Sequence, residues 1–424
     1  MKITCNSSRL CGKVTVPGSK SHTIRALAIA SLAEGESIIE APLNSNDTQA
    51  AVKTYAALGA MIDVGDDVWT VQGTSGELKA PDDVIDVGNS GSTLRVALGS
   101  AALLRDGMAV FTGDEQIRGR PAGPLLEALS DLGAQATSTR GNGMAPIVVK
   151  GRLSGGETSI ECKTSQYLTS LLINAPLADG DSTIHVPVLN ERPYVGITLD
   201  WLSHQNIKLE HNGYSEFHIR GGQSYKPFRK KIAADFSSAT FFLCAGALGE
   251  NDVVVKGLDL DDTQGDKAVL DYLRAMGANI EINSSQVRVR AGDLTGCELD
   301  LNATPDALPM MAVLGCFARG TTTLINVPQA RIKETDRIAV MREELERLGA
   351  KIRELEDGLV IEQSDLKATE VDGHDDHRVV MALAVAGCSI PGDTRINGFE
   401  VAAVTFPGFV DCMRGLGASM EPVE

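Results

Sequence analysis

The chain has 424 residues, 43% hydrophobic, 22% charged and only 4% aromatic, a balance that sets the disordered and fibrous classes aside. One hydrophobic core stops growing well below that length, so two or three domains are expected. A formal net charge of -17 repels nucleic acid and anionic lipid, so an anionic substrate has to be held by a local cationic cluster against the field of the whole molecule.

The opening run, MKITCNSSRLCGKV, lacks the apolar stretch of a signal peptide, and no run approaches the roughly 18 apolar residues of a membrane span. A cytoplasmic location is expected, with no nucleic-acid or membrane partner. The cysteines Cys5, Cys11, Cys162, Cys244, Cys297, Cys316, Cys388 and Cys412 are scattered without CxxC pairs, and read as reduced structural thiols.

Taken in chain order, the elements repeat. After the capping cluster Gly18-Ser19-Lys20-Ser21 comes an apolar helix, closed in LAEGESIIE by a turn at Gly35 and followed by a β-rich run. An amphipathic helix then ends on Ala57-Leu58-Gly59-Ala60, and alternating strands follow. The first phrase recurs as LLRDGMAVF, LADGDSTIH, ALGENDVVV, FARGTTTLI and SIPGDTRIN, with turn glycines at Gly107, Gly180, Gly249, Gly320 and Gly392. The second recurs at Asp131-Leu132-Gly133-Ala134, Ala275-Met276-Gly277-Ala278, Arg347-Leu348-Gly349-Ala350 and Gly415-Leu416-Gly417-Ala418, with a degraded copy at Trp201-Leu202-Ser203-His204-Gln205-Asn206. Two independent phrases that both step by about 70 residues make the chain six copies of one α/β unit.

The polar segment from Arg220 to Lys231 falls between the third and fourth copies, where a hinge divides six units into three plus three. The expected lobes are 14–228, and 1–13 plus 229–424, facing each other across a cleft.

Capping clusters precede the first helix of every copy: Gly18 to Ser21, Gly88 to Ser92, Thr164 to Gln166, Asp235 to Ser238, Thr304 to Asp306 and His374 to Arg378. Capping accounts for Ser, Thr, Asn and Asp there. It does not account for Lys20, Arg25, Arg95 and Arg378, because cations are disfavoured at the positive end of a helix dipole. Ordinary caps with surface cations remain open for any one cluster. Six clusters in register point instead to helix N-termini gathered around a small polyanionic substrate.

Pro17-Gly18-Ser19-Lys20-Ser21-His22-Thr23-Ile24-Arg25-Ala26-Leu27 closely resembles the opening signature of the 5-enolpyruvylshikimate-3-phosphate synthases, within the enolpyruvyl transferases. The likeness continues through Gly88 to Arg95, Gly113-Asp114 with Arg118-Gly119-Arg120-Pro121, Thr164 to Thr169, Gln264-Gly265-Asp266, Arg331 to Arg337 and Asp375 to Arg378. It implies an α/β fold of two similar lobes, each of three βαβαββ repeats around a pseudo-threefold axis in an inside-out α/β barrel. It also implies transfer of the carboxyvinyl group of phosphoenolpyruvate to the 5-hydroxyl of shikimate 3-phosphate in the shikimate pathway, without a metal or organic cofactor, by a chain expected to be a monomer.

Carried over by motif, Lys20, Ser21, Arg25, Thr164, Ser165, Gln166, Asp306, Gln329 and Lys333 would hold shikimate 3-phosphate. Lys20, Gly91, Arg120, Gln166, Arg337 and Arg378 would hold phosphoenolpyruvate, where guanidinium forks suit carboxylate and phosphate oxygens. Asp306 would take the hydroxyl proton, Glu334 would protonate the methylene carbon, and Lys20 would assist. If the KETDR segment is already helical, Glu334 and Arg337 share a face. Read singly, Glu334 with Arg337 is equally a surface ion pair, Asp306 a cap after Pro305 and His377 a packed core residue. A metal between His374 and His377 is disfavoured by the spacing.

The chain departs from the family pattern in three places, the least of them Ser92, where threonine is common. Val404 stands before Thr405-Phe406-Pro407 where a lysine is usual, and Glu191 stands where a serine often meets the acceptor's phosphate. The sister transferase acting on UDP-N-acetylglucosamine typically opens with Ala-Lys-Asn and carries a loop cysteine. Here the opening is Ser19-Lys20-Ser21, and Gly113-Asp114-Glu115-Gln116 has no cysteine. A non-catalytic anion-binding protein is the other alternative, opposed by the presence together of Lys20, Asp306, Glu334, Arg337 and Arg378.

Overall fold

The computed structural model describes residues 1–283 and 285–423. The chain forms two compact units: an N-terminal unit, Gly18–Ile232, and a C-terminal unit made of Met1–Pro17 with Ala233–Glu424. The expected crossings, at 13/14 and 228/229, are displaced to 17/18 and 232/233, because strand ladders carry the chain past them. Cys11–Thr15 runs parallel to Asp252–Lys256 over its whole length, and Arg229–Lys231 runs parallel to Glu36–Glu40. A boundary at 13/14 would cut the first ladder, and one at 228/229 would part Arg229–Lys231 from Glu36–Glu40, in each case leaving backbone polar groups unpaired.

Each unit carries three four-stranded sheets of one design. In one of them Ile85–Asp86 lies parallel to Met108–Thr112, and the helix Gly91–Ala101 makes the crossover. The helix Gly123–Asp131 then leads to the antiparallel hairpin Gln135–Ser138 and Ile147–Lys150, whose second strand pairs back onto Met108–Thr112. This is a βαβαββ unit. Three sheets borrow a strand. Arg229–Lys231 takes the first-strand place beside Glu36–Glu40. Cys11–Thr15 does so beside Asp252–Lys256, and Lys2–Asn6 lies between Asp393–Asn397 and Ser419–Val423.

Burial follows from the apolar pattern of each helix. Phe236–Gly246 and His377–Gly387 are buried at every position, and Leu308–Phe317 at all but one. A helix apolar all round has to be enclosed, and these three pack against one another. The outer helix Arg337–Arg347 buries only the stripe Arg337, Ile338, Met341, Glu344 and Leu345. In the N-terminal unit Gly99 lets the helix Ser165–Asn174 close in: a Cβ there would stand 2.5 Å from both Asn174 Nδ2 and Ser170 Oγ. Each unit has its own hydrophobic core.

The recurring Leu-Gly-Ala phrase has a backbone cause. Gly59, Gly133, Gly277, Gly349 and Gly417 all have φ between 93° and 109° just past a helix end, and Asn206 fills the same place with φ 56°. Side chains are disfavoured in that region, and asparagine tolerates it best after glycine. The degraded copy is thus a true sixth copy. Among the other turn glycines Gly180 alone lacks a positive φ; a Cβ on it would meet Ser154 O at 2.6 Å.

The polar segment 220–231 is not a free linker. Tyr225 is fully buried with its hydroxyl on Ile173 O at 2.6 Å, Phe228 O accepts from Ile38 N–H, and 229–231 is a strand. Among the described residues no helix is long and apolar enough to cross a membrane.

Candidate functional site

In the N-terminal unit the three inner helix starts are tied into one polar network. Ser19 caps Lys20–Leu32, Ser90 caps Gly91–Ala101 and Thr164 caps Ser165–Asn174. Lys20 Nζ lies 3.0 Å from Asp47 Oδ2, and the backbone oxygen of Asp47 accepts from Thr93 Oγ1. Asp47 is buried. Nothing in the sequence pattern marked it, because it is 27 residues from Lys20 and looks like an ordinary acidic residue in a first helical turn.

Arg25 is buried and bound on several sides. Its guanidinium donates to Thr198 Oγ1 at 2.9 Å, Ser21 O at 2.8 Å, Thr169 Oγ1 at 3.2 Å and Tyr194 O at 2.8 Å. Burial lowers its pKa to about 10, so it is still a cation at neutral pH. Ser21 offers its backbone carbonyl to Arg25 and is itself half-buried.

Gly91 opens its helix beside two guanidinium groups: a Cβ there would stand 2.5 Å from Arg95 Nη1 and 2.9 Å from Arg120 Nη1. The absent side chain lets both cations lie against a helix start. Arg120 Nη2 donates to Asn89 Oδ1 at 3.1 Å, and Arg95 Nη2 to Pro121 O at 2.9 Å. Gln166 Nε2 donates to Ser92 Oγ at 3.1 Å, joining the second and third helix starts. Thr164 and Ser165 both turn toward Glu191, whose Oε2 accepts from Thr164 Oγ1 at 3.2 Å, Ser165 N at 3.0 Å and Ser165 Oγ at 2.7 Å.

In the C-terminal unit the centre is Arg337, 1% exposed. Its Nε lies 2.8 Å from Asp376 Oδ2, Nη1 2.7 Å from Asp306 Oδ1, and Nη2 2.5 Å from Glu334 Oε2. Burial opposes the charge on Arg337, yet Asp376, Glu334 and Asp306 outweigh it and hold the pKa above the ordinary arginine value. Arg378 Nη2 lies 2.8 Å from Asp306 Oδ2, so both oxygens of that carboxylate meet a guanidinium.

The expected helical spacing of Glu334 and Arg337 does not hold. Residues 333–335 form a bend, and the helix begins at Arg337 with Asp336 as its cap. The bend still delivers Glu334 to Arg337, so the contact exists for a different geometric reason. Gln329 is buried with Nε2 on Asn302 O at 2.8 Å, and Lys333 is half-buried on the same connection.

Other motif residues serve the scaffold. Asp235 caps its helix through Ser238 N and Oγ, and Gln264 Oε1 accepts from Phe236 N–H at 3.0 Å. His377 is buried within its helix, whereas His374 Nε2 lies 2.7 Å from Glu344 Oε1. Glu343, Glu344 and His374 bring ligand-type atoms within 4.8 Å of one another. Glu344 already accepts from Asp372 N–H and His374, and Arg347 bonds to Glu343, so a hydrogen-bond network accounts for the cluster. Val404 ends the short turn Phe399–Val404, which carries no basic residue.

The profile of EPSP synthase (3-phosphoshikimate 1-carboxyvinyltransferase) matches residues 5–413. The chain is 53% identical, over 100% of both chains, to a 3-phosphoshikimate 1-carboxyvinyltransferase of Acetivibrio thermocellus. It is 50% identical to the protein of that name from Ruminiclostridium cellulolyticum, over 99% of this chain and 100% of the other. A solved structure of EPSP synthase from Acinetobacter baumannii superposes with a TM-score of 0.84 at 25% identity, covering 100% of both chains.

Proposed function

This chain belongs to the EPSP synthase family, and from that premise we propose which of its residues carry the reaction. The protein is a 3-phosphoshikimate 1-carboxyvinyltransferase: it transfers the enolpyruvyl group of phosphoenolpyruvate to shikimate 3-phosphate and releases phosphate, in aromatic amino acid biosynthesis. The observation that carries the residue assignment is Asp306 held between Arg337 and Arg378, with Glu334 on the same guanidinium.

In the reading we favour, the carboxylate of phosphoenolpyruvate takes Arg337 and Arg378 as its partners, and its phosphate is met by Lys20, Arg120 and Gln166 beside the small residue Gly91. Ser21, Arg25, Thr164, Ser165, Gln166, Gln329 and Lys333 hold the acceptor. The acceptor's 5-hydroxyl oxygen attacks C2 of phosphoenolpyruvate while its proton passes to Asp306, and C3 takes a proton from Glu334. In the resulting tetrahedral adduct C3 returns a proton to Glu334 and the C–O bond to phosphate breaks, which restores the double bond, while the departing phosphate takes up the hydroxyl proton held by Asp306. Lys20 supports the charge that develops. The pairing of Glu334 with Arg337 supports this division, because a substrate carboxylate that claims Nη2 frees Glu334 for the neighbouring methylene. The enzyme then works in the cytosol on two small molecules.

Phosphate release from phosphoenolpyruvate, measured with shikimate 3-phosphate, with UDP-N-acetylglucosamine and with neither, tests the assignment. Release is expected only with shikimate 3-phosphate, and its absence there would sink the reading.

A further inference from the structure

We propose that Glu191 is an internal competitor for the acceptor's phosphate and so sets the affinity for the acceptor. This rests on the reading that Thr164 and Ser165 hold that phosphate. The helix Ser165–Asn174 begins with a backbone N–H that has no partner within the helix and two hydroxyls, the donor set of an oxyanion site at a helix N-terminus. All three donors converge on one oxygen, Glu191 Oε2, at 3.0, 2.7 and 3.2 Å.

The carboxylate is placed there by construction. Glu191 is 2% exposed and sits at φ 57°, ψ 40°, a left-handed conformation that a glutamate rarely adopts. The chain holds it on both sides: Asn190 N–H donates to Cys162 O at 3.1 Å, and Tyr194 N–H to Glu191 O at 3.0 Å. A buried glutamate in a disfavoured backbone conformation, aimed at a helix start, behaves as a stand-in for an external oxyanion.

A phosphate cannot use these donors while Glu191 Oε2 keeps them, and seating it alongside would bring like charges within hydrogen-bond reach in a poorly solvated place. Acceptor binding therefore includes moving Glu191 off the helix start. An acceptor without a phosphate has nothing to displace it with, so the same residue discriminates for phosphorylated acceptors.

The test compares the unsubstituted enzyme with Glu191→Gln, which keeps the shape and loses the charge, and Glu191→Asp, which keeps the charge; Glu191→Ser is a second neutral variant. In Glu191→Gln the KM for shikimate 3-phosphate should fall roughly tenfold, with much smaller changes in kcat and in the KM for phosphoenolpyruvate. Glu191→Asp should stay near the unsubstituted value. An unchanged or raised acceptor KM in both neutral variants overturns the proposal and makes Glu191 a support for Thr164 and Ser165. Inorganic phosphate titrated by calorimetry gives a separate arm: it should bind Glu191→Gln about tenfold more tightly, and Ser165→Ala added to that variant should cancel the gain. Equal binding to the unsubstituted and Gln forms also overturns it. If the unsubstituted chain releases no phosphate with shikimate 3-phosphate, the functional assignment fails, and the phosphate titration still judges Glu191 by itself.

Discussion

Arg337 shows how far charge can be buried when it is surrounded. A guanidinium has five donors in a rigid fork, and here they meet Asp376, Asp306 and Glu334. Removing it leaves three carboxylates facing one another with little water, so Arg337→Ala should lose about 3–5 kcal/mol of stability as well as activity; thermal unfolding beside the phosphate assay reads both. Asp306→Ala should separate the two effects. As a proton acceptor it carries on the order of a hundredfold or more of turnover, so kcat should fall further than either KM rises. Arg378→Ala should instead raise the KM for phosphoenolpyruvate, by about the 1.5–3 kcal/mol of a charged hydrogen bond. A D306A enzyme with unaltered kcat would remove the proton-transfer role. At this scale the sequence exposed the cations and the acids through their motifs, but of their partners only Glu334 beside Arg337. Asp47 on Lys20 and Thr198 on Arg25 meet through tertiary packing alone, which no local spacing encodes.

The helix ends were legible because their cause is local. A left-handed residue after the last helical turn calls for glycine or asparagine wherever the helix packs, so the phrase survives in the sequence. Gly349 tests this cleanly, since a Cβ there would find only ordinary contact, Asp365 O at 3.7 Å. Gly349→Ala should cost about 1–2 kcal/mol from backbone conformation alone, and Gly349→Asn clearly less, as Asn206 already illustrates; chemical denaturation of both variants measures the gap. Four of the six first strands were not legible from patterning. Ile85–Asp86 has two residues, and Arg229–Lys231, Glu298–Asp300 and Glu370–Asp372 have three each, too short for alternation to show. Strand pairing also sets a pH response. Arg288 forks onto Asp252 at 2.7 and 2.6 Å, and that hydrogen bonding, opposed by burial and helped by the charge of Arg288, holds the Asp252 pKa below its ordinary value. A depressed folded-state pKa gives stability that is present above the ordinary aspartate range near pH 4 and is lost as pH falls through the lower folded value. Asp252→Asn should therefore flatten the fall in unfolding temperature below about pH 4.

At the scale of the whole molecule, the repeats predict three plus three units but not which segment completes which sheet, because a borrowed strand carries no mark of its partner. The consequence is an asymmetry between the two units. Every strand of the N-terminal unit lies within Gly18–Ile232, including Arg229–Lys231. The C-terminal unit instead depends on the chain start: Lys2–Asn6 is an interior strand of one sheet, and Cys11–Thr15 supplies the edge of another. A fragment 18–232 should fold cooperatively alone, whereas one ending at 228 loses the edge strand beside Glu36–Glu40 and should be measurably less stable. A fragment 233–424 has lost an interior strand, leaving Asp393–Asn397 and Ser419–Val423 with unpaired edges and Cys5, fully buried in the intact unit, missing from the core. It should fail to fold by itself. Adding a peptide of residues 1–17 should restore its near-ultraviolet dichroism and cooperative melting. If 233–424 folds as well without that peptide as with it, the two N-terminal strands are decoration rather than parts of the C-terminal unit's core, including the sheet whose strand Glu370–Asp372 leads into the helix of Arg378.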